Sequence, residues 1–170
     1  MSTADAQAAR APQRARMVFL VIAIVLSVVV IVSTGLEWGS LTVRHILVVA
    51  EPGTGEWQGV AALVAATAGV LWVGLAATRG RMALAALGAL VAGLAISVVA
   101  LLEVVHLVTR PAQIADVVRA GAASIPLKGY RVPPIESSVG PGTWIALAAG
   151  AALALVGLVA LVVPAWRARR

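Results

Sequence analysis

The residues best suited to chemistry are a glutamate and a histidine three positions apart, Glu103 and His106. A spacing of three places both side chains on one face of an α-helix. Glu-x-x-His occurs in metal-binding helix bundles, where carboxylate and imidazole groups of facing helices surround the ion. His45, in an earlier loop, is the candidate third ligand. The pattern therefore predicts a metal or haem site formed by Glu103, His106 and His45, with the identity of the cofactor left open.

A second interpretation of the same pair requires no ligand. A single Glu-x-x-His lacks the second copy that metal sites in helix bundles use. A helix that starts at Met82 reaches the outer edge of a bilayer, about 31 Å away, at Glu103. The pair is then a solvated helix end, ion-paired with Arg110 or Arg44. The same interpretation covers three further carboxylates as solvated loop residues, Glu37, Glu51 and Glu56.

Four long apolar stretches must position these residues. Each has about 19–22 residues, and a helix of about 20 residues crosses a hydrocarbon core of about 30 Å. No charged side chain interrupts their interiors. We therefore predict an all-α membrane protein, a four-transmembrane-helix bundle that forms one domain over residues 1–170. The predicted spans are 17–35, 57–77, 82–102 and 143–164, with outer loops at 36–56 and 103–142.

Composition supports a membrane protein and excludes several kinds of function. The chain is 61% hydrophobic and 12% charged, whereas soluble domains are about 45–50% apolar and about 25% charged. Cysteine is absent, which excludes disulfides, thiol catalysis and thiolate metal sites. No ionisable residue lies in the middle of a span, which argues against a proton or ion transporter that acts alone. Abundant alanine, valine, glycine and arginine are typical of a GC-rich bacterial genome.

Arginines and tryptophans predict the orientation. Arginine is enriched in cytoplasmic loops, and tryptophan at membrane–water interfaces. We therefore predict that both termini and the link at residues 78–81 are cytoplasmic, in a multi-pass protein of a bacterial plasma membrane. The arginines that carry this prediction are Arg10, Arg14, Arg16, Arg79, Arg81, Arg167, Arg169 and Arg170. The tryptophans expected at the outer head-group level are Trp38, Trp57 and Trp144.

Small residues predict how the helices pack. Close approach over small side chains drives helix association in lipid. Spans two, three and four carry alanine, glycine and serine at four-residue spacing, so we expect them to form the tight core. Span one is rich in β-branched residues and is expected to pack more loosely or to face a partner.

The two outer loops have different predicted structures. The first is predicted to be either extended or a short interfacial helix, because β-branched residues dominate it. In the second, apolar residues on one face predict a separate amphipathic helix over residues 111–122, lying in the interface plane. Prolines after that helix predict an extended cap over the bundle.

The layout resembles small actinobacterial four-span membrane proteins of the tryptophan-operon-associated kind. The shared features are a tryptophan just after span one (Glu37-Trp38-Gly39), the Leu41-Thr42-Val43 loop, the turn at residues 77–81 and a glycine-rich entry to span four at residues 140–143. The resemblance implies a membrane protein of that kind and carries over no catalytic residue.

No catalytic motif stands out, and three functions stay open. The first is a non-enzymatic accessory or structural subunit of a larger bacterial membrane complex. The second is a metal- or haem-binding redox protein that uses Glu103, His106 and His45. The third is a small-molecule or lipid carrier that works as an oligomer. The expected partners are the lipid bilayer and other membrane-protein subunits, not nucleic acid, because the basic residues form no single stripe.

Overall fold

The computed structural model describes residues 3–43, 46–123 and 134–167 of the chain. Most of this part is helical, and the rest forms one small antiparallel sheet. The helices are α1 (Thr3–Ser33), α2 (Trp57–Thr78), α3 (Met82–Ala123) and α4 (Pro141–Arg167). The strands are β1 (Glu37–Val43), β2 (Ile46–Pro52) and β3 (Ile135–Val139), and a short 3-10 helix (Gly53–Gly55) joins β2 to α2.

Among the described residues, four helices are long and apolar enough to cross a membrane, as predicted. Their candidate spans among the described residues are Gln13–Ser33, Trp57–Thr78, Met82–Ile114 and Pro141–Val163. The four alternate in direction, because the sheet lies at one end of the bundle and the turn at residues 79–81 at the other. We call these the sheet end and the turn end.

The closest packing lies where the small residues predict it, between α3 and its neighbours α2 and α4, but α2 and α4 share no extensive contact within the described residues. In the bundle, α3 packs against α2 and α4, and α1 packs against the same two helices. The contact between α3 and α4 is the most extensive. It is close enough at Gly93 that an added Cβ would lie 2.6 Å from the carbonyl oxygen of Gly150. Such an approach of two backbones is open only to residues without large side chains.

Helix α1 is the most peripheral of the four, as expected from its β-branched sequence. Only 17% of its most apolar window is buried, against 39% for α3. Its buried face carries Phe19, Ala23, Ser27 and Val30 at helical spacing. The Ser27 hydroxyl donates to the carbonyl of Ala23, 2.8 Å away, which satisfies the hydroxyl within its own helix. The opposite face of α1 exposes valine and isoleucine side chains.

The third helix differs from its prediction. We expected α3 to end near residue 102 and a separate interfacial helix to cover residues 111–122. Instead, one continuous helix runs from Met82 to Ala123, with Pro111 in its interior. Proline lacks an amide hydrogen and therefore leaves the carbonyl four residues earlier, that of Leu107, without its helical donor. The hydroxyl of Ser137 donates to that carbonyl, so β3 compensates for the proline.

A three-stranded sheet also corrects the prediction of an all-α fold. The strand order is β2-β1-β3, and both pairings are antiparallel. The first loop is thus extended, one of its two predicted alternatives, and β3 provides an extended segment in the second loop. The central strand lies against the helices, because Leu107 of α3 contacts Gly39 of β1. The sheet therefore forms a cap that is fixed to the end of the bundle.

Candidate functional site

Glu103 and His106 lie on the segment of α3 that is level with the sheet, next to Leu107. Only 1% of Glu103 is exposed, and His106 is half-buried. The interpretation of Glu103 as a solvated residue is therefore wrong. Its burial follows from its place on the helix, because Ala100, Glu103 and Leu107 continue one inward-facing stripe at spacings of three and four.

Two buried polar atoms near this level have no hydrogen-bond partner within the described residues. They are Oε2 of Glu103 on α3 and Oε1 of Gln58 on α2. The two residues lie about equally far along their helices from the turn at residues 79–81. A buried polar atom without a partner costs about 1–3 kcal/mol. A water or ligand bound at this level of the bundle would therefore provide the hydrogen bonds that these two oxygen atoms lack.

Arg110, one turn beyond His106, pairs with two glutamates. Its Nη1 and Nη2 lie 2.8 and 3.4 Å from the two carboxylate oxygens of Glu51. Nη1 also lies 3.5 Å from Oε1 of Glu56. Glu51 is the penultimate residue of β2 and Glu56 precedes α2, so the three side chains join the sheet and two helices. Glu51 and Glu56, expected to be solvated loop residues, are 26% and 21% exposed and lie beside Arg110, whereas Glu37 is exposed as expected.

The two glutamates have opposite electrostatic environments. The hydrogen bond from Arg110 lowers the pKa of Glu51 below its ordinary value. The hydrogen bond between the two carboxyl groups raises the pKa of Glu56, and burial acts in the same direction. One carboxylate is thus stabilised by the arginine, and its neighbour binds a proton more readily. We call Glu51, Glu56 and Arg110 the ionic clamp.

The predicted metal ligands are only partly brought together. Glu103 and His106 share one face of α3, but His45 lies outside the described residues, as does Arg44. Within the described part of the chain, no three His, Asp or Glu side chains are grouped so as to hold a metal ion. Both oxygens of Glu51 are taken up by Arg110. A site that includes His45 therefore stays a prediction.

Trp38 is a structural residue that the sequence reasoning missed. We expected it at the head-group level, but its side chain is fully buried. The indole Nε1 donates to the carbonyl of Ser33, 2.8 Å away. The carbonyl of Trp38 accepts from the Gly140 amide and the Thr143 hydroxyl, each at 2.8 Å. Trp38 therefore locks the end of α1 to the start of α4.

Glycines make room for this indole and are the signal that could have revealed it. A Cβ on Gly53 or Gly142 would lie within 2.5–2.6 Å of indole atoms. A tryptophan beside glycine-rich turns in both outer loops thus indicates a buried ring. By contrast, Trp57 and Trp144 are exposed at the sheet end, which fits their expected place at an interface.

Comparison of the chain with models of protein families and with curated proteins finds no match. The resemblance to actinobacterial four-span proteins therefore stays a prediction.

Proposed function

We propose that this chain is a non-enzymatic accessory or structural subunit of a larger membrane protein complex, in the plasma membrane of a bacterium. In this proposal both termini lie in the cytoplasm and the sheet faces the outside. Two features support a binding role over a catalytic one. The ionic clamp joins structural elements to one another, and the cap is fixed to the bundle by Trp38, Ser137 and this clamp.

Helix α3 is longer than a single crossing of a membrane requires. The helix has 42 residues, from Met82 to Ala123, which corresponds to about 63 Å. A hydrocarbon core is about 30 Å thick, and membrane helices tilt by about 40° at most. A tilted helix of this length still extends beyond the core. Helix α3 therefore continues past the level at which lipid chains can cover it, and its part at the level of the cap carries exposed valines beside Glu103, His106 and Arg110.

The main support for the proposal comes from exposed apolar side chains on that extension. Val105 and Val108 are 55% and 68% exposed. They flank Leu107, which packs under the sheet, so they lie at the level of the cap. They continue the stripe that Val98 and Leu101 form lower on the same helix. An apolar stripe that rises above the hydrocarbon core favours a second protein as its cover.

Site-specific photo-crosslinking tests this proposal. A photoreactive residue at Val108 is expected to give a discrete adduct with another membrane protein in native membranes. The same residue at Leu94, on the same stripe but in the middle of the span, is the matched control and is expected to give lipid adducts only. Affinity purification in mild detergent should recover the same partner in a stoichiometric amount.

Two outcomes would overturn the accessory-subunit proposal. One is a monomer that purifies without a partner and gives no protein adduct at Val108. The other is adducts between copies of this chain alone, which would favour the alternative of an oligomeric carrier for lipids or small molecules. Transport by liposomes that contain only this chain would then be the decisive assay.

The metal- or haem-binding alternative is kept because Oε2 of Glu103 is buried without a partner. A ligand held by Glu103, His106 and His45 would satisfy that atom. The absorption spectrum and metal content of the purified protein test this alternative. A visible band or stoichiometric metal that disappears in Glu103→Gln and His106→Ala supports it, and a colourless, metal-free protein eliminates it.

A further inference from the structure

A cleft at the turn end of the bundle combines two arginines with an apolar floor. It has a volume of about 70 Å³, whereas a single water needs at least about 10–15 Å³. The cleft therefore accommodates a group the size of a phosphate. It is lined by Trp72, Leu75, Ala76, Arg79, Arg81 and Leu84.

The floor of the cleft is preformed by Trp72. Its indole Nε1 donates to the carbonyl of Leu84, 3.0 Å away on the neighbouring helix. The ring also packs on Gly88, where an added Cβ would collide with it. These contacts hold the ring between α2 and α3 at the turn end. Leu75 and Leu84, which are 49% and 37% exposed, lie beside it and offer an apolar surface for an acyl chain.

Within the described part of the chain, neither Arg79 nor Arg81 forms an ion pair, whereas Arg110 at the opposite end does. No acidic residue occurs between Glu56 and Glu103 in the sequence, a stretch that includes all of α2, the turn and the spanning part of α3. Both guanidinium groups line the same cleft, and arginine binds phosphate oxygens in a bidentate manner.

We propose that this cleft binds an anionic phospholipid, with the headgroup phosphate between Arg79 and Arg81 and an acyl chain along Leu75 and Leu84. The position favours a lipid over a free anion, because the cleft lies at the end of two apolar helices, where head groups meet hydrocarbon. Basic pockets between membrane helices bind anionic head groups in this way. The proposal requires the membrane-spanning arrangement but not the partner protein proposed above.

Native mass spectrometry of the purified full chain tests the proposal. The protein is titrated with phosphatidylglycerol or with the zwitterionic phosphatidylcholine, and retained lipids are counted. We expect one phosphatidylglycerol to be retained in preference to phosphatidylcholine. Since each basic residue near an anionic lipid contributes about fivefold in affinity, Arg79→Gln with Arg81→Gln should weaken that binding about 25-fold.

The control variant is Arg14→Gln with Arg16→Gln, which removes the same charge from exposed positions on α1. It should retain phosphatidylglycerol like the unmodified chain. Equal loss in both double variants would overturn the proposal, because it would indicate diffuse attraction rather than a site. Equal retention of the two lipids, or displacement of phosphatidylglycerol by excess inorganic phosphate, would also overturn it. Unchanged melting temperatures of both variants show that the comparison is made between folded proteins.

Discussion

The hydroxyl of Ser137 donates a hydrogen bond to the carbonyl oxygen of Leu107, the carbonyl that Pro111 leaves without an amide donor. In a regular helix the amide of residue 111 would fill this place, but proline has no amide hydrogen. The free acceptor therefore becomes an attachment point for β3. A proline that interrupts the hydrogen bonding of α3 thus helps to fix the cap onto the bundle.

The first prediction is that the effect of Ser137→Ala depends on residue 111. In the unmodified chain, loss of the Ser137 hydroxyl leaves a carbonyl without a partner and should cost about 1–3 kcal/mol of the free energy of unfolding. In a Pro111→Ala background, the new amide can bond to Leu107, so the same substitution should cost much less. The free energies of unfolding of the unmodified chain, the two single variants and the double variant are measured in mild detergent. An equal cost in both backgrounds contradicts the attachment described above.

Trp38 and Trp144 form a matched pair for the second prediction. Trp38→Phe removes the donor to the Ser33 carbonyl in a fully buried place, and we expect a loss of about 1–3 kcal/mol. Trp144 is 52% exposed, so Trp144→Phe should change stability little. Thermal unfolding of the two variants in the same detergent makes the comparison. A larger loss of stability in Trp144→Phe than in Trp38→Phe would show that the Trp38 ring does not hold α1 and α4 together.

The third prediction concerns the contact between α3 and α4. Gly93→Ala introduces a methyl group that would lie 2.6 Å from the carbonyl oxygen of Gly150, and such overpacking costs about 1–3 kcal/mol. Gly74→Ala in α2 is the control, because no atom lies within 4 Å of its added Cβ. Alanine is also the better helix former by about 1 kcal/mol, so Gly74→Ala should be neutral or stabilising. Resistance to thermal unfolding should therefore change in opposite directions in the two variants.

The fourth prediction is a pH dependence of the ionic clamp. The lowered pKa of Glu51 means that its pairing with Arg110 stabilises the fold above the ordinary glutamate pKa. This contribution is lost as the pH falls through the lowered value. The raised pKa of Glu56 acts in the opposite sense, because its protonation stabilises the fold as the pH falls through the raised value.

The free energy of unfolding, measured as a function of pH, should therefore have a maximum between the lowered pKa of Glu51 and the raised pKa of Glu56. Because the side chains of Arg110 and Glu51 are 28% and 26% exposed, each contribution is expected to be about 1 kcal/mol. Glu51→Gln should be less stable than the unmodified chain at neutral pH, and the difference should vanish in acid. Glu56→Gln should abolish the rise in stability on mild acidification. A Glu51→Gln difference that persists at low pH would contradict the assignment.

The local features of the helices could be predicted from the sequence. The apolar runs give the four long helices because every backbone group in lipid needs an internal partner. The hydroxyls of Ser27, Thr67 and Ser97 bond to carbonyls in the preceding turn, as their short side chains dictate. The small residues at Gly93 and Gly150 meet across helices, which follows from their spacing.

The structure of the cap could not be predicted, because it depends on contacts between distant parts of the chain. The pairing of Ser40 with Ser138 joins residues 98 positions apart. Likewise, a proline suits the first turn of a helix, which agrees with the separate helix predicted over residues 111–122 rather than with a continuous α3. Only the tertiary contact with Ser137 shows how α3 continues through Pro111. Burial of Glu103 was missed because bilayer thickness alone, without the sheet above it, places that residue in water.

Both proposals require that the sheet and the turn at residues 79–81 lie on opposite sides of a membrane, and the absence of cysteine makes this directly measurable. Single cysteines are introduced at Glu136 in β3 and at Arg79, both of which are exposed. With a membrane-impermeant maleimide and intact cells, we predict labelling of Glu136→Cys, and labelling of Arg79→Cys only after the cells are permeabilised. Labelling of Arg79→Cys from outside intact cells, or of both positions from the same side, would contradict the arrangement.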